Sequence, residues 1–147
     1  ALVTVLCRDL SEMASFAKVS NAHFRLFKAC LPGAYTFVLP ATKQVPKKCR
    51  HPQRKTIGLR MITHAVAWSV LSAMEEPLLS VSLFAANTFE QSELDWQDED
   101  PLDRCDPQID LLLDSGFADA APSTVVDLTD EQAVILRHGS GDATPFE

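Results

Sequence analysis

The sequence predicts an α/β fold, a twisted open mixed sheet flanked by helices. Three observations lead there. Strand-like and helix-like segments alternate through the first half of the chain, and strand-like segments dominate the second. Hydrophobic residues make up 46% and charged residues 22% of 147 positions, a balance that supports one domain with a substantial core. Neither G-x-G-x-x-G nor a P-loop occurs, which argues against a doubly wound nucleotide-binding sheet.

Each element has its own signal. Residues 2–7 form a short apolar run with β-branched members, the pattern of a buried strand. Asp9 stands three residues before Glu12, a capping-box spacing that opens a short helix to about Ala17. Ser20 or Asn21 caps a second helix that turns Phe24, Leu26 and Phe27 inward, and Pro32-Gly33 stops it. Residues 34–39 follow as a strand, because Tyr35-Thr36-Phe37-Val38 has high β-propensity. A basic loop over 40–55 leads into a strand over Thr56–Met61. Thr63 is expected to cap a helix to about Met74, with Val66, Val70 and Leu71 near helical spacing. Pro77 introduces a strand over 78–84.

Residues 86–107 read as an acidic loop insertion with a helical turn. They lack the glycine and the ligand alternation of a calcium loop. Strands are predicted over 109–113, 123–128 and 133–137, with turns at Asp114-Ser115-Gly116 and Thr129-Asp130-Glu131. Residues 139–147 read as a polar, extended tail, and 1–147 as one domain. The chain opens at Ala1 inside a strand-like run, so an N-terminal part is expected upstream, and any targeting peptide would lie there.

Charge divides the chain. Residues 1–60 hold eleven Lys or Arg against Asp9 and Glu12, a formal +9, while residues 61–147 hold Arg104 and Arg137 against eighteen acids, a formal −16. The densest stretch is Lys43, Lys47, Lys48, Arg50, Arg54 and Lys55. Six cations within thirteen residues repel one another unless an anion sits nearby, and phosphate is the usual one. A solvated loop, or one paired with the acidic second half, explains the charge equally well. Cys7, Cys30, Cys49 and Cys105 form no C-x-x-C pair and do not cluster with histidine, so no metal site is expected. So few cysteines fit reduced thiols and a cytoplasmic setting, with organellar import of the parent protein left open. No apolar run is long enough to cross a bilayer.

Four segments set polar groups in or beside apolar strands. Arg60 ends Thr56-Ile57-Gly58-Leu59-Arg60, and its planar fork suits a phosphate or carboxylate. Alternation in Leu79-Ser80-Val81-Ser82-Leu83 puts Ser80 and Ser82 on one face, where two hydroxyls can donate to one anion. The others are Pro122-Ser123-Thr124-Val125-Val126-Asp127 and Val134-Ile135-Leu136-Arg137-His138-Gly139. Together, two arginines, two serines and a Ser-Thr pair could converge on one anionic ligand. No Ser–His–Asp order is visible.

These residues carry a resemblance. Pro32-Gly33-Ala34-Tyr35-Thr36-Phe37-Val38-Leu39 resembles the P-G-x-Y-T-F-x-L segment of the YrdC/YciO family of threonylcarbamoyl-adenylate synthases. The likeness continues through Lys55-Thr56-Ile57-Gly58-Leu59-Arg60, Glu76-Pro77-Leu78-Leu79-Ser80-Val81-Ser82-Leu83, Ser123-Thr124-Val125-Val126-Asp127-Leu128 and Val134-Ile135-Leu136-Arg137-His138-Gly139-Ser140-Gly141-Asp142. It spans nearly the whole chain in order and is closest to the YciO branch.

The resemblance implies a YrdC-like sheet with a concave basic surface. It implies a reaction joining L-threonine, bicarbonate and ATP, with Mg2+, into threonylcarbamoyl-AMP and pyrophosphate for tRNA modification. It also implies binding of tRNA or double-stranded RNA, for which the basic run is the candidate, and no membrane partner. On the same basis Arg60 holds substrate or phosphate charge, Ser80 and Ser82 line the ATP phosphates, and Ser123 and Arg137 contact the nucleotide. No side chain acts as a nucleophile; such a site works by positioning and charge neutralisation. The chain departs from the synthase pattern in places. The upstream P-T-[DE]-[TS]-x-[YF]-G-L and K-x-R motifs are not in it, Phe84 stands where the synthase branch has Asn, and Ile62 stands where Pro usually follows Arg60. A non-catalytic double-stranded RNA-binding module and a structural remnant of the fold are the alternatives.

Overall fold

The computed structural model describes residues 3–81, 109–116 and 121–147. Six strands and three helices occur among them: β1 (Thr4–Cys7), α1 (Leu10–Phe16), α2 (Asn21–Cys30), β2 (Tyr35–Pro40), β3 (Thr56–Met61), α3 (Ala65–Ala73), β4 (Leu79–Ser80), β5 (Thr124–Asp127) and β6 (Val134–Arg137). They form one mixed sheet in the order β4-β1-β3-β2-β5-β6. The β1–β3 and β2–β5 pairs are parallel and the others antiparallel. The predicted open mixed sheet is therefore the observed one.

The helix starts follow the sequence with one exception. Asp9 accepts the Glu12 N–H at 2.9 Å and Ser20 accepts the His23 N–H at 3.1 Å, each stopping a free amide of the first turn. The predicted capping box closes differently, because the Glu12 carboxylate takes the Arg8 guanidinium in an ion pair. Thr63 does not cap α3; His64 stands at that position without a side-chain hydrogen bond.

One face of the sheet carries the main core. Alternation sends Val5, Cys7, Tyr35, Phe37, Leu39, Ile57, Leu59 and Val126 to that side, where Met13 of α1 and Phe27 of α2 meet them. The Phe27 and Phe37 rings lie 4.5 Å apart, centroid to centroid. Phe24, expected inward, is instead 36% exposed beneath the Lys28 ammonium. In α3 only Leu71 is buried, whereas Val66 lies outside. That helix is apolar nearly all round, so its sequence does not define a single inward stripe.

Two further differences concern the second half. Residues 109–113 form no strand and expose Ile109, Leu111 and Leu113, although the following turn is present: Asp114 accepts the Gly116 N–H at 2.9 Å. The tail is not simply extended. It ends in a 3-10 turn over Thr144–Phe146 that buries Phe146 against Tyr35 and Phe37. The Tyr35 hydroxyl donates to the Asp142 carbonyl at 2.9 Å, and the Thr144 N–H holds the Asp142 carboxyl below its usual range. The 86–107 insertion and the end of the 78–84 strand lie outside the described residues.

Candidate functional site

The second face of the sheet carries a row of chemistry-bearing residues. In register, Leu6 pairs with Arg60, Thr36 with Val125, and Val125 with Arg137. The β2–β3 register pairs Phe37 with Leu59, and its next step sets Thr36 opposite Arg60. Arg60, Thr36, Val125 and Arg137 thus lie in one line across β3, β2, β5 and β6. Three strand spacings separate the two arginine backbones, about 14 Å.

Hydroxyls fill the middle of this line. Ser123 precedes β5 and shares the face of Val125 by alternation. Its hydroxyl lies 2.8 Å from that of Thr36, and both residues are buried. Arg137 approaches from the far side, donating from Nε and Nη2 to the Ser123 carbonyl at 3.0 and 2.8 Å and from Nη2 to the Ser123 hydroxyl at 3.1 Å. Two hydrogen bonds to one carbonyl fix the guanidinium plane, so its remaining N–H groups point in a set direction.

A backbone irregularity makes this possible. Asp127 pairs with Val134 and Val126 with Ile135, but Val125 pairs with Arg137, so Leu136 is an extra residue in β6. Were Leu136 paired with Val125 in a regular ladder, Arg137 would stand opposite Thr124, on the other face of the sheet. A bulge here re-aims one side chain. Gly139 supports the same arrangement: a Cβ on it would fall 2.4 Å from the Ser123 backbone, so only glycine lets the chain leave β6 this close to Ser123. The Gly139 N–H donates to Thr124 Oγ1 at 3.0 Å, and that hydroxyl donates to the Gly141 carbonyl at 2.6 Å.

Arg60 stands apart in its bonding. It is half-buried in β3, and its side chain makes no hydrogen bond or ion pair among the described residues. A half-buried guanidinium without a partner favours an anion nearby. Ser80 lies on the same face, since it pairs with Thr4, two residues along β1 from the partner of Arg60. That register separates Ser80 from Arg60 by about 12 Å. The fold thus joins Arg60, Ser123 and Arg137 in one row and sets Ser80 to the side; Ser82 lies outside the described residues. Thr36 is the site residue that sequence reasoning missed. Its signal was present: a lone hydroxyl between Tyr35 and Phe37 must face away from the aromatic core.

The basic loop occupies the opposite end of the sheet. It enters β3 at Thr56, whereas Arg60 lies near the far end of that strand. Lys43, Lys47, Arg54 and Lys55 are exposed and Arg50 is partly so, and none of these forms an ion pair among the described residues. The loop is nevertheless anchored. Val45 is buried, Cys49 packs against the core, and residues Lys47–Cys49 make a 3-10 turn. His51 Nδ1 accepts the N–H groups of Gln53 and Arg54 at 3.2 and 3.1 Å. Its cations are therefore carried on a built scaffold. No group of three or more potential metal ligands occurs among the described residues, and none of the described helices is long and apolar enough to cross a membrane.

Comparisons with known proteins agree with this architecture. A family model described as telomere recombination, spanning Sua5, YciO and YrdC, matches residues 2–139. An uncharacterized protein of Haemophilus influenzae is 46% identical over 97% of this chain and 68% of its own length. The uncharacterized protein YciO of Escherichia coli is 43% identical over the same shares. The crystal structure of E. coli YciO superposes with a TM-score of 0.84 at 41% identity, over 99% of this chain and 69% of that one. Sua5 of P. abyssi, solved with L-threonine, shares the fold with a TM-score of 0.70 at 22% identity, over 94% of this chain and 40% of that one.

Proposed function

The chain belongs to the Sua5/YciO/YrdC family, and from that premise we propose that its second sheet face binds the phosphates of ATP for chemistry of the threonylcarbamoyl-AMP synthase type. The observation that carries the reading is the row Arg60–Thr36–Val125–Arg137, with Ser123 hydrogen-bonded between Thr36 and Arg137. Two arginines whose backbones stand about 14 Å apart, with hydroxyls between them, suit an extended polyanion. Arg60 neutralises charge directly, and Arg137, oriented by Ser123, does so at the other end. Ser80 lies to the side, within reach of a ligand about 12 Å long from Arg60. Donors of this kind stabilise charge that develops as pyrophosphate leaves, without a protein nucleophile. L-threonine and bicarbonate are the proposed co-substrates and Mg2+ the counter-ion to the triphosphate. The test is threonine- and bicarbonate-dependent release of pyrophosphate from ATP by the intact parent protein. ATP binding without any such release removes the synthase reading.

A second activity rests on a different observation. The exposed, unpaired cations of the basic loop are held on an anchored scaffold that contains no Phe, Tyr or Trp, which favours contact with phosphates over stacking on bases. This suits a double-stranded region of RNA, tRNA included. Affinity for a blunt duplex is expected to fall steeply with salt, the log–log slope growing by about 0.7–0.9 per phosphate contact. Lys47→Glu with Arg54→Glu should weaken binding strongly; unchanged affinity removes the loop from the argument.

A further inference from the structure

A groove crosses the end of the sheet where β1 and β3 finish. Three adjoining depressions of about 580, 500 and 460 Å³ make it up, and all three share Met61 as a lining residue. Met61 pairs with Cys7, so the groove lies off the C-terminal ends of two neighbouring parallel strands, the place where open α/β sheets receive ligands. Trp68 of α3 lines it and is 45% exposed, with Pro32 among the other lining residues. Arg60, first member of the phosphate-binding row, lines its far end.

The charge of the groove selects its occupant. Its lining carries Arg8, Lys28 and Arg60 against a single acid, Asp9. The Asp9 carboxylate is already engaged by the Glu12 N–H, and Glu12 orients Arg8 through their ion pair. A half-exposed indole over an apolar floor, rimmed by cations, combines what an unstacked base and its phosphate each need. A purely apolar partner would desolvate Lys28 and Arg60, neither of which has an ion-pair partner among the described residues. We propose that this groove binds an unpaired nucleotide of RNA, with the base against Trp68 and the phosphate toward Arg8 and Lys28. The proposal rests on the RNA-binding reading given above and extends it, since the basic loop has no Phe, Tyr or Trp on which to stack a base.

The test compares a blunt RNA duplex with the same duplex carrying a single-stranded tail. The tail should tighten binding to the unaltered chain. Trp68→Ala should cost the tailed RNA about fivefold to a hundredfold in affinity and leave the blunt duplex unchanged. Trp68→Phe, which keeps an aromatic face, should recover most of the loss and controls for folding. In a Trp96→Phe background the remaining Trp68 emission should be quenched by oligouridylate. If the blunt duplex fails to bind while oligouridylate still quenches Trp68, the duplex reading falls and the groove stands. If both RNAs bind and Trp68→Ala leaves the tail's contribution intact, the groove assignment is overturned. It is equally overturned if the chain sediments as a dimer that Trp68→Ala dissociates with tail affinity unchanged.

Discussion

Removing the ring of Phe146 tests whether the last residues belong to the core. Phe146 is 5% exposed, and its ring lies 5.7 Å from that of Tyr35 and 5.6 Å from that of Phe37. Those two rings are themselves stacked at 5.6 Å, and Phe27 packs beyond Phe37. Phe146→Ala therefore opens a hole at the edge of an aromatic cluster whose other members are fixed by β2 and α2. A buried phenylalanine truncated in this way costs about 3–5 kcal/mol, a large share of the roughly 5–15 kcal/mol that holds an ordinary domain folded. With a urea m-value of about 1–3 kcal/mol/M, the midpoint should fall by more than about 1 M. Ending the chain after Gly141 should cost about 1 kcal/mol more, since the Tyr35 hydroxyl then loses its acceptor on Asp142. The assay is urea unfolding followed by circular dichroism. A loss below about 1 kcal/mol with an unchanged m-value would refute the view that this residue completes the core.

Three further predictions follow from particular contacts. Deleting Leu136 closes the bulge but leaves Arg137 next to Ile135 and opposite Val125, on the same face, so ATP affinity should stay closer to that of the unaltered chain than to that of Arg137→Ala; a loss as large as that of Arg137→Ala refutes the register given to Arg137. Ser123→Ala leaves the buried Thr36 hydroxyl without its partner and should cost about 1–3 kcal/mol, while Thr36→Val combined with it should cost less than the sum; strict additivity shows that the hydroxyls are not coupled. Burial, with Glu12 and Asp9 adding to it, pushes the Cys7 thiol up to about 12 from an ordinary 9.0. The unfolded chain loses this proton first, so stability is intact below about pH 9 and falls by at most about 1.4 kcal/mol per unit as pH rises toward 12. Cys7→Ala should flatten that alkaline limb, and an unchanged limb would assign it to other groups.

The parts of the fold that were legible in sequence are those set by local chemistry. The Asp9 and Ser20 caps, the β-branched run of β1 and the aromatic alternation of β2 each carry a signal within a few residues. What was not legible depends on distant partners. Phe146 reads as a lone aromatic in a polar tail until Tyr35 and Phe37 are placed beside it. Phe24 and Val66 have inward-looking spacing, yet both stay more than a third exposed. The site divides in the same way. Arg60, Ser123 and Arg137 stand out as polar groups beside apolar strands, whereas Thr36 matters because β2 sits between β3 and β5.

Sheet order also separates two features that composition had merged. The basic first half reads as one positive region, but β3 carries its cations to opposite ends: the loop precedes Thr56, and Arg60 lies about 13 Å beyond it along the strand. One small anion cannot neutralise both. A nucleotide on the Arg60–Arg137 row leaves the loop cations unpaired, and a duplex on the loop leaves Arg60 free for a second ligand. The two should therefore bind together. Titrating duplex RNA against the ATP-loaded parent protein should give nearly the same affinity as without ATP, whereas competition between them would place both on one surface and undo the division of the sheet into two ends.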